Sequence, residues 1–150
     1  PITHVLVTHH HPDHHLGLEY FGDVKIIATE FCAKQIQDNS RGMANFMARS
    51  TGVNLRNATP VVPQTRIAPR ARQSMEIDGV KLELIATDTA HTDGDLMVWL
   101  PEDKVLAAGD ILLADDTAGR GHITRDLEGP RHSLFLPLPE SFDISAWRRP

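Results

Sequence analysis

The chain has 150 residues, of which 15 are basic and 20 are acidic, giving a net charge of −5. This length and a hydrophobic content of 41% are typical of one soluble domain. The negative balance excludes a general positive field, so we expect no nucleic-acid partner. No apolar run approaches the roughly 20 residues that a membrane-spanning helix needs, so we expect no membrane association.

A single cysteine limits the chemistry further. Cys32 has no partner for an internal disulfide, and a cysteine-based zinc site is excluded by count. We interpret Cys32 as a small buried hydrophobe rather than a reactive thiol. The compartment stays open, with the cytoplasm slightly favoured, because no signal peptide opens the chain. The chain begins at Pro1 and leads straight into a predicted strand, so we expect a truncated N-terminus.

The first third of the chain alternates strands and helices. In chain order it predicts a buried strand, a short helical turn, a second strand and a long helix over residues 4–8, 16–21, 24–28 and 29–50. Asn39, Ser40 and Gly42 are poor helix formers, so we expect them to break or bend the long helix.

The rest of the chain predicts antiparallel strands. Residues 51–73 contain three prolines and are predicted to be a long connection without regular structure. A hairpin follows over residues 74–78 and 80–85, turning at Asp78 and Gly79, and a second strand pair lies over residues 96–100 and 104–108. Beyond residue 113 the pattern predicts neither helix nor strand.

Five histidines lie within residues 9–15, directly after the first predicted strand. Neutral imidazole and carboxylate are donors that suit zinc. His9 and His11 are two residues apart in an extended segment, so their side chains point to the same side. Asp13 and His14 follow a proline that turns the chain, which aims them at a neighbouring position. The spacing indicates two adjacent metals.

Other interpretations of this histidine cluster exist. Histidine-rich stretches occur as expression tags, as loose metal-binding tracts or as solvated loops. A tag is not normally placed between a strand and a helix and interrupted by Pro-Asp. His10 and His15 fall between the ligand positions, and we expect them to face outward or to support the ligands. His4 lies inside the first strand and is interpreted as structural.

Three motifs in this order resemble a known family. Residues 9–14, His-His-His-Pro-Asp-His, resemble the H-x-H-x-D-H signature of the metallo-β-lactamase superfamily, with Thr8 before it and Leu16-Gly17 after it. Residues 90–95 resemble the G-H-T-x-G motif with Ala90 in place of its first glycine. Residues 108–110 resemble the G-D motif. The resemblance covers roughly residues 1–113.

The resemblance implies a set of metal ligands. The first zinc would be bound by His9, His11 and His91, the second by Asp13 and His14, and Asp110 would bridge both. Iron or manganese can take the place of zinc in relatives. Considered alone, His91 could be a loop histidine and Asp110 a helix N-cap.

Two further acidic residues lie beside His91. Asp93 and Asp95 could orient ligand histidines through their second ring nitrogen, or they could cap the turn.

The family pattern also implies a fold and shows where this chain departs from it. We expect an α/β fold, the αββα sandwich, in incomplete form, because the strands before the first motif and the C-terminal part are missing. Residues 1–113 would be the core and residues 114–150 an atypical tail, which could also be foreign or frame-shifted. The family's final histidine has no clear counterpart, since only His122 and His132 follow Asp110.

The implied function is a zinc-dependent hydrolase whose metal-bound hydroxide attacks a small ester, thioester or lactone. Asp13 could orient the nucleophile and accept its proton, and Asp110 would be the second catalytic carboxylate. An aspartate at position 110 looks more like the glyoxalase-type and general hydrolase branches than like true β-lactamases. β-Lactamase or phosphodiesterase activity remains an alternative. A truncated or degenerate metal-binding protein without catalysis is another.

Overall fold

The computed structural model describes residues 1–55, 57–114, 121–123 and 135–137. Three strands form a parallel sheet in the order β1-β2-β3, with β1 at His4–Leu6, β2 at Lys25–Thr29 and β3 at Thr65–Ile67. Val5 is paired with Ile26, and Ile27 with Thr65. The predicted first and second strands are therefore confirmed.

A five-stranded antiparallel sheet packs against this parallel sheet. Its members in chain order are β4 (Arg72–Ile77), β5 (Val80–Ala86), β6 (Leu96–Leu100), β7 (Val105–Ala107) and β10 (Phe135–Pro137). Their spatial order is β10-β7-β6-β5-β4. Two more short strands, β8 (Leu112–Ala114) and β9 (Gly121–Ile123), pair with each other. The predicted hairpin and strand pair are confirmed.

Alternation along β2 explains why the layers stack. Ile27 belongs to a core cluster with Leu84 of β5 and Leu96 of β6, between the two sheets. Its neighbour Ile26 points to the opposite face, because successive strand residues alternate, and packs in a second cluster that includes Cys32. This second cluster lies between the parallel sheet and helix α2. Cys32 is thus the buried hydrophobe that was predicted, and burial raises the pKa of its thiol to about 12.

Two helices and two 3-10 turns complete the described part. Helix α1 spans Pro12–His15, and the 3-10 turn over Leu18–Phe21 matches the predicted helical turn. Helix α1 was not predicted from the sequence, although Pro12 at its first position is well suited to start a helix. In the described part of the chain, no helix is long and apolar enough to cross a membrane.

Helix α2 spans Glu30–Thr51 without interruption, so of the predicted break or bend the break was wrong. The polar residues at its middle bond within the helix instead of opening it. The Ser40 hydroxyl donates to the carbonyl of Ile36, and the Asn39 amide donates to the Gln35 side chain at 2.7 Å. Gly42 is exposed, and a Cβ there would meet nothing within 4 Å, so its cost to the helix is one of backbone entropy.

The predicted connection over residues 51–73 was also wrong in part. It contains β3, and β4 already begins at Arg72. Strand β3 has only three residues, and its strand state depends on pairing with β2, which a local pattern cannot reveal.

The segment beyond residue 113, predicted to lack regular structure, contributes β9 and β10. Strand β10 pairs with β7 through the register of Leu136 with Leu106, so it extends the antiparallel sheet. Pairing between distant segments again overrides a weak local pattern. The domain boundary at residue 113 stays a prediction.

We predict opposite effects of alanine at the two glycines of α2. Gly42→Ala should stabilise the protein by about 0.5–1 kcal/mol, because alanine loses less backbone entropy in a helix interior. Gly52→Ala should destabilise it by about 1–2 kcal/mol, because Gly52 ends the helix at a φ of 75°. Thermal or urea unfolding of the two variants measures this, and equal effects would contradict it.

Candidate metal centre

The first half of the site follows the end of β1. The chain leaves the sheet after Val7, whose N–H donates to the carbonyl of Ile27 at 2.9 Å. His9 is completely buried, and His11 is half-buried just before α1. Helix α1 then carries Asp13 and His14.

The second half comes from two connections of the antiparallel sheet. His91 lies in the loop of residues 87–95 between β5 and β6, and Asp110 lies in a 3-10 turn, Gly109–Ile111, after β7. The Asp95 carboxylate accepts hydrogen bonds from the Thr92 N–H at 2.9 Å and the Thr92 hydroxyl at 2.8 Å. Burial raises the pKa of Asp95, while these bonds to Thr92 oppose that shift. Of the two predicted roles for Asp95, the structure shows turn capping.

Asp93 also serves this loop. It accepts a hydrogen bond from the Thr89 hydroxyl at 3.2 Å, and the backbone of the same two residues forms an isolated bridge.

Close backbone approaches join the two halves. The Leu96 N–H donates to the carbonyl of Thr8 at 2.7 Å, linking the start of β6 to the end of β1. Gly109, with a φ of 57°, lies so close to Thr8 that a Cβ there would be 2.8 Å from the Thr8 Cβ. Gly94, with a φ of 76°, approaches Phe31 in the same manner at 2.5 Å. Glycine is required at both positions by conformation and by space.

Four side chains then converge on one point. The donor atoms of His9, His11, His91 and Asp110 lie within 4.8 Å of one another. Nδ1 of His11 lies 3.1 Å from Nε2 of His9 and 3.1 Å from Nε2 of His91. Oδ2 of Asp110 lies 3.9 Å from Nε2 of His9 and 3.7 Å from Nε2 of His91.

This spacing fits a tetrahedral ion. Ligand atoms about 2.0–2.1 Å from a zinc ion lie about 3.4 Å from one another. The four separations given above, 3.1–3.9 Å, bracket that value, and all donor atoms of the group lie within 4.8 Å of one another. The Nδ1 atom of His11 carries either one proton or one lone pair, so it cannot form good hydrogen bonds with both neighbouring nitrogens at once. A cation at the centre suits all three, because each can then present a lone pair.

The second predicted set adjoins the first through Asp110. Oδ1 of Asp110 lies 3.4 Å from Nε2 of His14, while Oδ2 faces the other histidines. His14 also lies 3.5 Å from Oδ2 of Asp13, whose side chain is about half exposed. The two oxygens of Asp110 thus face different histidines, as a bridging carboxylate would. Two histidines follow Asp110 in the sequence. The structure describes the backbone of His122, in β9, but not its side chain, and His132 lies outside the described residues.

The charges suit ligand roles. Burial lowers the pKa of His9 to about 2, so its ring is neutral. Burial also lowers the pKa of His11. For Asp110, burial would raise the pKa, but the hydrogen bond from His14 and the nearby histidines bring it below its usual value. The same contact raises the pKa of His14 against the effect of burial. The site therefore combines the neutral imidazoles of His9 and His11 with the ionised carboxylate of Asp110, whereas the raised pKa of His14 favours its charged form.

The remaining histidines do not join the four-donor group. His15 is 1% exposed, so of the two expected positions, facing outward or supporting the ligands, the outward one was wrong, because α1 turns this side chain inward. Its burial lowers its pKa to about 4. His10 is half-buried, and His4 contacts the Thr3 hydroxyl through Nδ1 at 2.9 Å. Thr8 was not among the predicted site residues, yet its hydroxyl lies 3.1 Å from Nδ1 of His9.

Comparison with known proteins identifies the family. The sequence model of the metallo-beta-lactamase superfamily matches residues 1–143. The chain belongs to the metallo-beta-lactamase superfamily. The resemblance inferred from the three motifs is confirmed, and the match extends past the predicted limit at residue 113.

Relatives show the same fold over part of their length. The beta-lactamase-like protein 2 homolog of Caenorhabditis elegans is 25% identical over 98% of this chain, which spans 40% of that relative. A metallo-beta-lactamase from Pontibacter korlensis superposes with a TM-score of 0.54 and 22% identity, over 79% of this chain and 46% of that one.

The sec-alkylsulfatase Pisa1 from Pseudomonas sp. superposes with a TM-score of 0.55 and 20% identity, over 75% of this chain and 23% of that one. The predicted α/β fold of the superfamily is thereby confirmed. The coverage agrees with the predicted partial domain.

We predict that Gly109→Ala disrupts the site, with Gly79→Ala as its control. Both glycines have positive φ, but a Cβ at Gly79 meets nothing within 4 Å, whereas one at Gly109 meets Thr8. The shared strain should cost about 1–2 kcal/mol in each variant. The clash should cost Gly109→Ala about 1–3 kcal/mol more. Urea unfolding measures the difference, and equal losses would contradict the close approach.

Proposed function

We propose that this chain is the metal-binding part of a zinc-dependent hydrolase. The observation that carries the proposal is the four-donor group of His9, His11, His91 and Asp110, whose spacing fits a tetrahedral ion. Membership in a superfamily of metallo-hydrolases supports the same reaction class. The donors are three imidazole nitrogens and a carboxylate, which suit zinc but also accept iron or manganese.

The roles of the side chains follow from their positions. Zinc bound here would supply a Lewis acid and a water that ionises near neutral pH. His9, His11 and His91 would hold the first ion. The Asp110 carboxylate would share its two oxygens between the first ion and a second position beside His14 and Asp13.

Asp13 is the best placed proton acceptor. Its carboxylate is half exposed, while that of Asp110 is almost fully buried. A general base takes a proton from the attacking water and must then pass it on, and the half-exposed carboxylate of Asp13 can pass it to solvent. Its 3.5 Å contact with His14 keeps it at the rim of the site. Asp110 is surrounded by histidines and serves as a ligand instead.

We propose a small ester, thioester or lactone as substrate. The net charge of −5 argues against a polynucleotide. Two of the similar structures are a metallo-beta-lactamase and a sec-alkylsulfatase by name, so a β-lactam and an alkyl sulfate belong in the same substrate panel. A phosphodiester completes the panel, because phosphodiesterase activity is one of the alternatives that the sequence leaves open.

A second candidate is a protein that binds metal without catalysis. Within the described part of the chain, the donors that converge on one point belong to the first set alone, without Asp13 and His14, which supports this alternative. The two candidates share the metal centre and differ in turnover. Metal content and activity therefore have to be measured on the same preparation.

The test combines metal analysis with the substrate panel. The purified chain is equilibrated with zinc, freed of excess, and analysed by mass spectrometry for zinc, iron and manganese. We expect one to two equivalents of zinc and turnover of a thioester or lactone above that of nitrocefin, an alkyl sulfate and bis-p-nitrophenyl phosphate. Bound zinc without turnover supports the non-catalytic candidate. If zinc, iron and manganese together amount to less than one equivalent, both candidates are contradicted.

Asp110→Asn tests the shared carboxylate. Asparagine keeps the shape but removes the negative charge, so we expect turnover to fall roughly a hundredfold or more and zinc to bind more weakly. Asp103→Asn makes the same change in the exposed turn after β6 and should leave both unchanged. Unchanged rates in Asp110→Asn would remove this residue from the site.

A further inference from the structure

Thr8 contacts both halves of the metal centre although it is not one of the predicted ligands. Its carbonyl accepts the Leu96 N–H at 2.7 Å. Its Cβ and hydroxyl lie beneath Gly109, each 2.8 Å from where a Cβ of that residue would be. Its hydroxyl also lies 3.1 Å from Nδ1 of His9. Backbone and side chain of Thr8 are therefore both fixed by contacts.

The ring of His9 needs a partner on the side away from the site. Its Nε2 faces His11 and Asp110, so this nitrogen is the one placed to bind an ion. A neutral imidazole whose Nε2 presents a lone pair carries its proton on Nδ1. His9 is completely buried, so bulk solvent does not reach that proton and it needs an internal acceptor. Within the described part of the chain, the Thr8 hydroxyl is the hydrogen-bond contact of Nδ1.

We propose that Thr8 is a positioning residue whose hydroxyl accepts a hydrogen bond from Nδ1–H of metal-bound His9. This bond fixes the ring orientation and stabilises the tautomer that turns the Nε2 lone pair toward the ion. The proposal rests on the metal centre of the proposed function, but it does not require turnover. Partners of this kind affect metal affinity by about 10–100-fold.

The packing beneath Gly109 ties this bond to the second half of the site. Gly109 precedes Asp110, and its close approach leaves the Thr8 side chain little room to rotate. The hydroxyl that holds His9 and the backbone that places Asp110 are thus in direct contact. A larger residue at position 8 would move both ligands, whereas valine keeps the shape and removes only the hydrogen bond.

The test compares Thr8→Val and Thr8→Ser with the unchanged chain. Zinc affinity is measured by competition with a chromophoric chelator. We expect Thr8→Val to bind zinc about 10–100-fold more weakly, because the buried Nδ1–H loses its acceptor. Thr8→Ser keeps the hydroxyl and should stay within about threefold. Thr65→Val makes the same change at a half-buried position of β3 and should bind like the unchanged chain.

Proton NMR of the zinc-loaded protein gives a second readout. The Nδ1–H resonance of His9, assigned by its loss in His9→Gln, should exchange slowly with solvent in the unchanged chain and in Thr8→Ser. It should exchange faster in Thr8→Val. A role limited to packing would leave this exchange rate unchanged, because valine fills the same space.

Two results would overturn the proposal. Thr8→Val with unchanged affinity would show that the hydroxyl does nothing for His9. Thr8→Ser as weak as Thr8→Val would show that a hydroxyl at position 8 does not by itself restore zinc affinity, so the hydrogen bond to His9 would not be what sets it. Zinc binding without hydrolysis would refute the proposed function and leave the role of Thr8 intact. An unchanged chain that binds no zinc would overturn both. Should Thr8→Val fail to fold, the comparison of Thr8→Ser with Thr8→Ala decides, since both lack the methyl and only one keeps the hydroxyl.

Discussion

The contact of Thr8 with Leu96 and Gly109 is the constraint on which the site depends. It joins the end of the parallel sheet to two connections of the antiparallel sheet. Through it His11 and His91, which are 80 residues apart in the chain, come within 3.1 Å. The two sheets pack through an apolar cluster that contains Ile27, and this packing sets how they approach each other. Burial of apolar side chains therefore provides the free energy that holds the two sheets together, while the contacts of Thr8 set the relative positions of the ligands.

The same fold makes the donor set costly without an ion. Several imidazoles and a carboxylate are taken out of water, and buried polar groups are destabilising unless each finds a partner. Neutral His9 beside ionised Asp110 reduces the charge that is buried. A bound cation would satisfy the lone pairs together, so metal binding and stability should be linked. Helix α1 places His14 beside Oδ1 of Asp110, so the group of metal-binding side chains extends toward solvent.

Much of this was predictable from sequence, and the failures share a cause. The histidine cluster could be recognised as a site from the sequence because its members lie close together in the chain. The hairpin could be predicted because Asp78 and Gly79 are residues that form a turn with positive φ. Strands β3 and β10 were missed because each exists through pairing with a distant strand. Helix α2 was expected to break or bend because the low helix propensity of its middle residues was considered without the hydrogen bond that satisfies Ser40. His91 and Asp110 required family motifs, since no local pattern brings them to His9.

X-ray absorption at the zinc edge, on protein loaded with one equivalent of zinc, reports directly which atoms surround the ion. We predict about three imidazole nitrogens and one carboxylate oxygen at about 2.0–2.1 Å, without sulfur. His91→Ala should reduce the imidazole contribution to about two, because His91 is one of the donors that surround the ion. A shell of oxygens alone, or an imidazole count unchanged by that substitution, would contradict a centre built from these four side chains.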